Sequence, residues 1–236
     1  LGARAQTDWQ WGAWALQLGA DAQRNSHRTR SAMGVDAYRQ LPWQTDARFS
    51  QYGVFAEARY NADTRREWIA GLRVDRHQVT DHRQLLGSGM QARANPSAGE
   101  RRRETLPSGF VRLEQRLSDT LLGYAGVGHV QRFPDYWELF SPKVAPVGES
   151  NVFDGIDPER TTQLDIGLQY QQGARQAWVS AYAGRIDDYI LFSYPAGVAM
   201  PHQSSRADNV DAHIMGLELG GVYPLATHWT LDGNLA

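Results

Sequence analysis

No cysteine occurs among the 236 residues. Disulfides, thiolate metal sites and a thiol nucleophile are therefore excluded, and an oxidising compartment is compatible with the composition. No apolar run approaches the roughly 18 residues that a membrane helix requires. The longest lies near Leu121–Gly128, and the mean hydropathy is −0.53. Taken alone, those values suggest a water-soluble chain. They leave a membrane barrel open, because its strands carry apolar side chains only at every second position. An excess of one charge is also missing: Lys+Arg is 24 and Asp+Glu is 26, a formal net charge of −2. Nucleic acid and acidic membrane surfaces therefore have no electrostatic claim as partners. Neither a Gly-rich phosphate loop, nor a nucleophile elbow, nor a metal-hydrolase motif is present, so an enzyme is not expected. The residues from Leu1 onward lack a signal-peptide pattern, which implies either a processed leader or an N-terminus lying upstream.

What is present is alternation. Tyr52, Val54, Ala56, Ala58 and Tyr60 oppose Gln51, Gly53, Phe55, Glu57 and Arg59. Leu164, Ile166, Leu168 and Tyr170 oppose Gln163, Asp165, Gly167 and Gln169. The same period recurs at Trp14–Ala20, Trp68–Val74 and Met215–Leu219. A period of two places one apolar and one polar row on opposite faces of a strand.

The connections alternate in length. Short ones are expected near Thr7–Asp8, Asn61–Arg66, Ser118–Asp119, Gln172–Ala174 and Pro224–Thr227. Long ones are expected over about Asn25–Asp46, His77–Arg103, Phe133–Glu159 and Tyr194–Ala207. Several structureless loops of this length are unusual in a compact soluble domain, but they suit an outer-membrane barrel with short periplasmic turns and long extracellular loops. Trp9, Trp11, Tyr60, Trp68, Tyr170, Trp178, Tyr223 and Trp229 cluster near the short turns, as a periplasmic aromatic girdle would. The competing reading makes them core aromatics of a soluble β-protein. Trp9, Trp11 and Trp178 do not fit the outward parity assigned to their strands, which leaves the register there open.

The expected spans are Leu1–Gln6, Gln10–Gln23, Ala47–Tyr60, Glu67–Arg76, Glu104–Leu117, Thr120–Arg132, Arg160–Gln171, Arg175–Phe192, Asp208–Tyr223 and His228–Ala236. The fold class is therefore all-β. We expect a transmembrane antiparallel barrel, present as an open fragment of about ten up-and-down strands, since a closed barrel leaves no edge. Residues 1–236 read as one piece of a barrel domain, with both barrel ends outside the sequence.

The segment "QRFPDYWELFSP" (Gln131–Pro142) leaves a strand at Pro134 and offers a helical turn over Tyr136–Phe140, packed by Phe133, Trp137 and Phe140. "RFPDYWELF" resembles a motif of TonB-dependent outer-membrane receptors. "DPERTTQLDIGLQY" (Asp157–Tyr170), "AYAGRIDDYILF" (Ala181–Phe192) and "NVDAHIMGLELGGVYPLATHWTLDGNLA" (Asn209–Ala236) resemble the strands that follow it in that family. The resemblance covers about Phe110–Ala236 specifically and the earlier part less so. "GYAGVGHVQRFPDYWELFSP" with "GADAQRNSHRTRSA" most resembles the copper-receptor branch. That resemblance implies a barrel of about 22 strands plugged by an N-terminal domain of the same chain, which lies outside this sequence. It further implies energisation by the TonB complex of the inner membrane, contact with outer-membrane lipid, a monomer, and a Met/His metal site shared between the plug and an earlier strand. None of those ligands falls within this sequence, so no catalytic, cofactor-binding or metal-binding residue is assigned to it.

His213 and Met215 suit copper, but they share parity with Leu217 and Leu219, which places them against lipid. His27 with Met33, His77 with His82, and Met200 with His202 read as solvated loop residues rather than dedicated sites. Asp187–Asp188 read as the close of a strand, and Asp135 with Glu138 as a loop turn, not as acid–base pairs. Arg101–Glu104 reads as a solvated strand terminus, with lipopolysaccharide phosphate as its alternative contact.

The function expected is therefore ligand-gated import of a scarce ligand, copper or a copper complex. Some charges along the rows Glu57/Arg59, Arg73/Asp75, Arg112/Glu114 and Asp165/Gln169 are expected to pair with the plug. A ferric-siderophore or corrinoid receptor, a passive porin or adhesive structural barrel, and a soluble all-β binding module such as a propeller are the alternatives.

Overall fold

The computed structural model describes residues 1–30, 35–86, 93–140, 153, 155–193 and 206–236. Its strands are β1 (Gly2–Trp11), β2 (Trp14–Thr29), β3 (Gln44–Asn61), β4 (Arg66–Asp81), β5 (Leu85–Leu86), β6 (Arg93–Ala94), β7 (Arg101–Arg116), β8 (Leu121–Arg132), β9 (Glu159–Gln172), β10 (Arg175–Ser193), β11 (Arg206–Ala226) and β12 (Trp229–Leu235). Two short helices lie in the connections, α1 (Val35–Gln40) and α2 (Tyr136–Leu139). Ten strands form one sheet in the order β1-β2-β3-β4-β7-β8-β9-β10-β11-β12, while β5 and β6 pair only with each other. Every neighbour in the large sheet is antiparallel, so the chain runs as an up-and-down meander, as its alternation predicts.

The register keeps parity from strand to strand, apart from bulges where β2–β3, β10–β11 and β11–β12 shift near their ends. Trp14 faces Tyr60, which faces Trp68, which faces Leu113; Val127 faces Leu164, which faces Ala183, which faces Met215. One face is thus continuously apolar and open: Leu72, Leu164 and Met215 are 72%, 54% and 79% exposed. A row this apolar left uncovered by protein calls for an apolar solvent.

The structure corrects the first hairpin. β1 runs to Trp11, and the turn falls at Gly12–Ala13, not at Thr7–Asp8. Gly12 adopts φ 55°, the left-handed conformation that a two-residue hairpin demands and glycine supplies cheaply. With that turn, Trp9 pairs with Leu16 and Trp11 with Trp14, so both tryptophans lie on the apolar face after all. Trp178 differs. It pairs with Gln169 and Gly220 on the polar face, so it belongs to no outward girdle.

Trp178 lies over Gly220, and the same arrangement recurs at Phe55 over Gly19, Phe110 over Gly71, Tyr124 over Gly167 and Tyr182 over Gly216. Each pair is directly cross-strand on the polar face, and a Cβ on any of these glycines would fall inside 3.0 Å of the ring. Glycine leaves a socket in the pleat, and the neighbouring aromatic fills it.

The strands also outlast the apolar pattern. β2 was expected to end at Gln23 and β4 at Arg76, but they reach Thr29 and Asp81. Asp187–Asp188 do not close β10, which continues to Ser193 through a bulge between Ile186 and Tyr189, with Asp188 at φ 59°.

Candidate functional site: the polar wall and its loop cap

The polar face is charged, and its charges pair within the sheet. Asp21, Gly53 and Asp75 form one cross-strand row over β2, β3 and β4. Glycine at the middle position leaves room for the Arg73 guanidinium, which a Cβ there would strike. Arg73 donates two bonds to Asp21, both 2.8 Å, and two to Asp75, both 2.6 Å. Gln51 completes the group by donating to Asp75 at 2.9 Å. Fork-to-carboxylate geometry on both sides holds one cation between two anions. Nearer the short turns, Arg59 pairs with Glu57 at 3.0 Å, and Arg112 with Glu114 at 2.8 Å. Arg112 also lies over the Tyr124 ring, 4.1 Å from its centroid, and Gln163 donates to Asp165 at 2.8 Å. The sequence marked Arg73 and Asp75 as one row. Asp21, 52 residues before Arg73, was missed; the signal lay in pairing Asp21 opposite a glycine.

At the long-loop end residues 133–140 and 153, from the described part of the β8–β9 connection, pack over this polar face. Pro134 ends the strand, and Asp135 caps α2: its carboxylate accepts from the Glu138 N–H at 2.9 Å, while Glu138 accepts from the Asp135 N–H at 2.7 Å. Arg132 grips Glu138 with two bonds of 2.8 and 2.9 Å and reaches Glu159 at 2.6 Å. Asp135 and Glu138 are therefore spent on the turn, as the sequence suggests. Phe133, Leu139, Phe140 and Phe153 pack on Ala47, Val79 and Leu106, making an apolar core above the charged wall. The helical turn is where the sequence placed it, but Trp137 does not pack it: that side chain is 67% exposed, and Leu139 is buried in its place.

Asp46 ties the cap to the strands. It accepts from the Tyr136 hydroxyl at 3.1 Å and the Thr29 hydroxyl at 3.0 Å, and His27 Nδ1 lies 3.3 Å away. The His27 ring stacks on Tyr136, 3.5 Å between centroids. Burial, joined by the negative Asp46, raises the Tyr136 phenol well above the usual tyrosine range. Beneath the cap lies a hollow of about 450 Å³ whose lining includes His27, Gln51, His77, Phe133 and Tyr136.

Of the candidate metal pairs, His77 and His82 are not drawn together. His77 faces the polar side and stacks on Phe133, whereas His82 lies past the end of β4, with its backbone N–H donating to the Asp46 carbonyl. His213 and Met215 pair with Arg185 and Ala183 on the apolar face. Met33, Met200 and His202 lie outside the described residues. Among the described residues, no group of three or more His, Cys, Asp or Glu side chains converges on a metal position. Asp187 and Asp188 pair with Arg185 and Arg160. The Arg101–Glu104 reading needs correction at Arg102. It is only 9% exposed, and it donates to the carbonyls of Phe153 and Ile156 and pairs with Glu104.

An open antiparallel meander with an apolar outer row and a self-paired charged inner row is the architecture of a membrane barrel wall. The family model described as TonB dependent receptor-like, beta-barrel matches residues 1–236. The chain belongs to the TonB-dependent receptor family. Among solved structures, the copper transporter OprC is 49% identical over 99% of this chain, with a TM-score of 0.89. The FrpB iron transporter from Neisseria meningitidis is 16% identical over 95% of the chain, with a TM-score of 0.66. The hemophore receptor HasR of Serratia marcescens is 18% identical over 94%, with the same TM-score. At those identities the last two show the fold alone. This chain spans 37%, 33% and 39% of those three proteins. No curated protein matches it. The fold is therefore that of a fragment of a TonB-dependent receptor barrel, and the relatives are transporters and receptors rather than enzymes.

Proposed function

We propose that these residues form part of the barrel wall of an outer-membrane importer whose cargo is copper or a copper complex. The observation that carries the cargo is the 49% identity to a copper transporter over 99% of the chain. The wall itself supports the membrane setting. From Trp14 to Ala22 the apolar face of β2 covers nine residues. At about 3.3 Å per residue and a tilt of about 40°, that run spans roughly 20 Å along the membrane normal, close to the apolar band of such barrels. Trp11, Trp14, Tyr60, Trp68, Tyr170 and Tyr223 mark its short-turn edge, which supports a periplasmic side at the short turns.

In this reading a plug domain of the same polypeptide fills the lumen against the polar face, and the TonB complex draws on it to open a path. The wall residues here line that path, and among the described ones no group of His, Cys, Asp or Glu converges as a cargo ligand set. Ligand specificity belongs to the plug and the remaining wall, with the inward-folded β8–β9 loop narrowing the outer entrance.

The test is metal accumulation in cells lacking the full-length gene. Deletion should lower cell copper under copper limitation and slow growth, and the intact gene should restore both. Normal copper with reduced iron would transfer the cargo to ferric complexes; normal levels of both would remove metal import.

A further inference from the structure

Resting on that membrane reading, we propose that the apolar face carries, just beyond its band on the long-loop side, a binding surface for the phosphates of an outer-leaflet glycolipid. Cross-strand pairing fixes which side chains share that face. Arg24 of β2 pairs with Ser50; Arg48 of β3 pairs with Ser26 and Thr80; Arg76 of β4 pairs with Tyr52 and Thr105. Arg103 and Arg101 of β7 pair with Gln78 and Thr80. All five arginines share the parity of Leu18, Val54, Leu72 and Val111. Arg24 and Arg76 take the outward positions next beyond Ala22 and Val74, whereas Ser50 precedes Arg48 on β3 and Thr105 precedes Arg103 and Arg101 on β7, so the arginines begin where the outward face turns polar. That height is where lipid headgroups meet the barrel.

Their other neighbours in these rows are hydroxyls and an amide, not carboxylates. Arg76 donates to the Thr105 hydroxyl at 2.5 Å, and Arg103 to Gln78 at 2.8 Å. Among the described residues none of the five has an ion-pair partner, and Arg24, Arg28 and Arg48 together line a hollow of about 510 Å³. The far side of the sheet is different. There Arg185 pairs with Asp187 and Asp211, at 2.6 and 3.0 Å, and Arg160 pairs with Asp188. On the outward face, positive charge is thus neutralised over β9–β11 and left without a carboxylate partner at these five arginines of β2–β7. Guanidinium groups fit phosphate oxygens in a bidentate fashion, and at a membrane interface the pairing is less screened than in bulk water. A phosphorylated headgroup supplies the missing anions at the right height. A soluble anionic protein would have to reach that face through the lipid.

The experiment uses the full-length receptor in non-ionic detergent, with bis-phosphoryl lipid A and its fully dephosphorylated form as probes and native mass spectrometry as the readout. Wild-type protein should retain the phosphorylated lipid preferentially. The R24Q/R48Q/R76Q/R103Q variant should retain it about tenfold less, and the matching four-lysine variant should fall between. Millimolar inorganic phosphate should displace little of it; complete displacement would make this a site for free anions and overturn the proposal. Equal retention of both lipids by wild-type protein would overturn it without any variant, as would unchanged retention by the glutamine variant. Heat-dependent gel mobility is recorded in parallel, because its absence in wild-type protein would strike at the barrel reading instead.

Discussion

The aromatic–glycine sockets of the polar face make a quantitative prediction at Gly220. An ideal Cβ on that residue would lie 2.8, 2.9 and 3.0 Å from Cζ2, Cε2 and Nε1 of Trp178, so Gly220→Ala must displace the indole. Lifting the ring off the pleat re-exposes on the order of 40–60 Å² of apolar surface, worth about 1–1.5 kcal/mol at 25 cal/mol per Å². An off-rotamer indole adds about 0.5–1.5 kcal/mol, so G220A should cost about 1.5–3 kcal/mol. With the ring removed first, the sign reverses. In a W178A background the same change relieves a glycine inside a strand and should be neutral or stabilising by about 0.5 kcal/mol. The coupling between the two positions is then about 2 kcal/mol or more, far above the ~0.5 kcal/mol within which independent sites add. Urea unfolding of the full-length receptor in lipid vesicles, followed by tryptophan fluorescence, measures the four corners of the cycle. Gly128→Ala is the control, because its Cβ would meet nothing closer than 3.7 Å. Equal costs of G220A in the two backgrounds would refute the socket argument.

Three further outcomes follow from the wall and its cap. Arg73→Met leaves Asp21 and Asp75 facing each other across Gly53 and should cost about 2–3 kcal/mol, between the values for exposed and buried pairs; R73M/D75N should recover part of that in the same unfolding assay. Tyr136 is raised first by burial and then by Asp46, so its tyrosinate absorbance, taken as wild type minus Y136F, should emerge above the ordinary value of about 10. Its contribution to stability is full below that ordinary value and is lost as pH climbs through the raised one; a midpoint at or below 10 would contradict the placement of the phenol. Arg112→Ala should raise passive conductance of the full-length protein in planar bilayers, because the Arg112 side chain stays 36% exposed on the polar face and can donate to a plug carbonyl or carboxylate besides Glu114; unchanged conductance would detach Arg112 from plug retention.

The period-two rows carried most of the fold because their cause is local: each apolar residue faces one solvent and each polar residue another. The ten strands, the short turns at Gly173 and at Ser118–Asp119, and the apolar-face placement of His213 and Met215 are readable for that reason. Beyond the apolar band the alternation stops while ladder hydrogen bonding continues, so β2 and β4 were cut short in the sequence reading. The register at Trp9 and Trp11 stays open in the sequence because polar residues suggest the turn at Thr7–Asp8, whereas it falls at a glycine able to take positive φ. The Asp21–Arg73–Asp75 group was only half visible. Its third member comes from two strands away, and what unites them is an empty glycine position that no local pattern announces.

That group bears on how an importer of this kind could pass a cation. Arg73 between Asp21 and Asp75 leaves a single net negative charge, while Arg59 with Glu57 and Arg112 with Glu114 are each neutral as pairs. A wall of unpaired carboxylates would hold copper tightly and release it slowly; one of unpaired arginines would repel it. Conduction needs entry to be favourable and departure to remain easy. Self-paired charges meet both demands by keeping the face wet and polar while denying any one position enough excess charge to act as a trap. In the proposed transporter, therefore, cargo affinity cannot come from the rows of Arg59, Arg73 and Arg112. It must be set where softer ligands gather, and these rows serve as the neutral passage that follows.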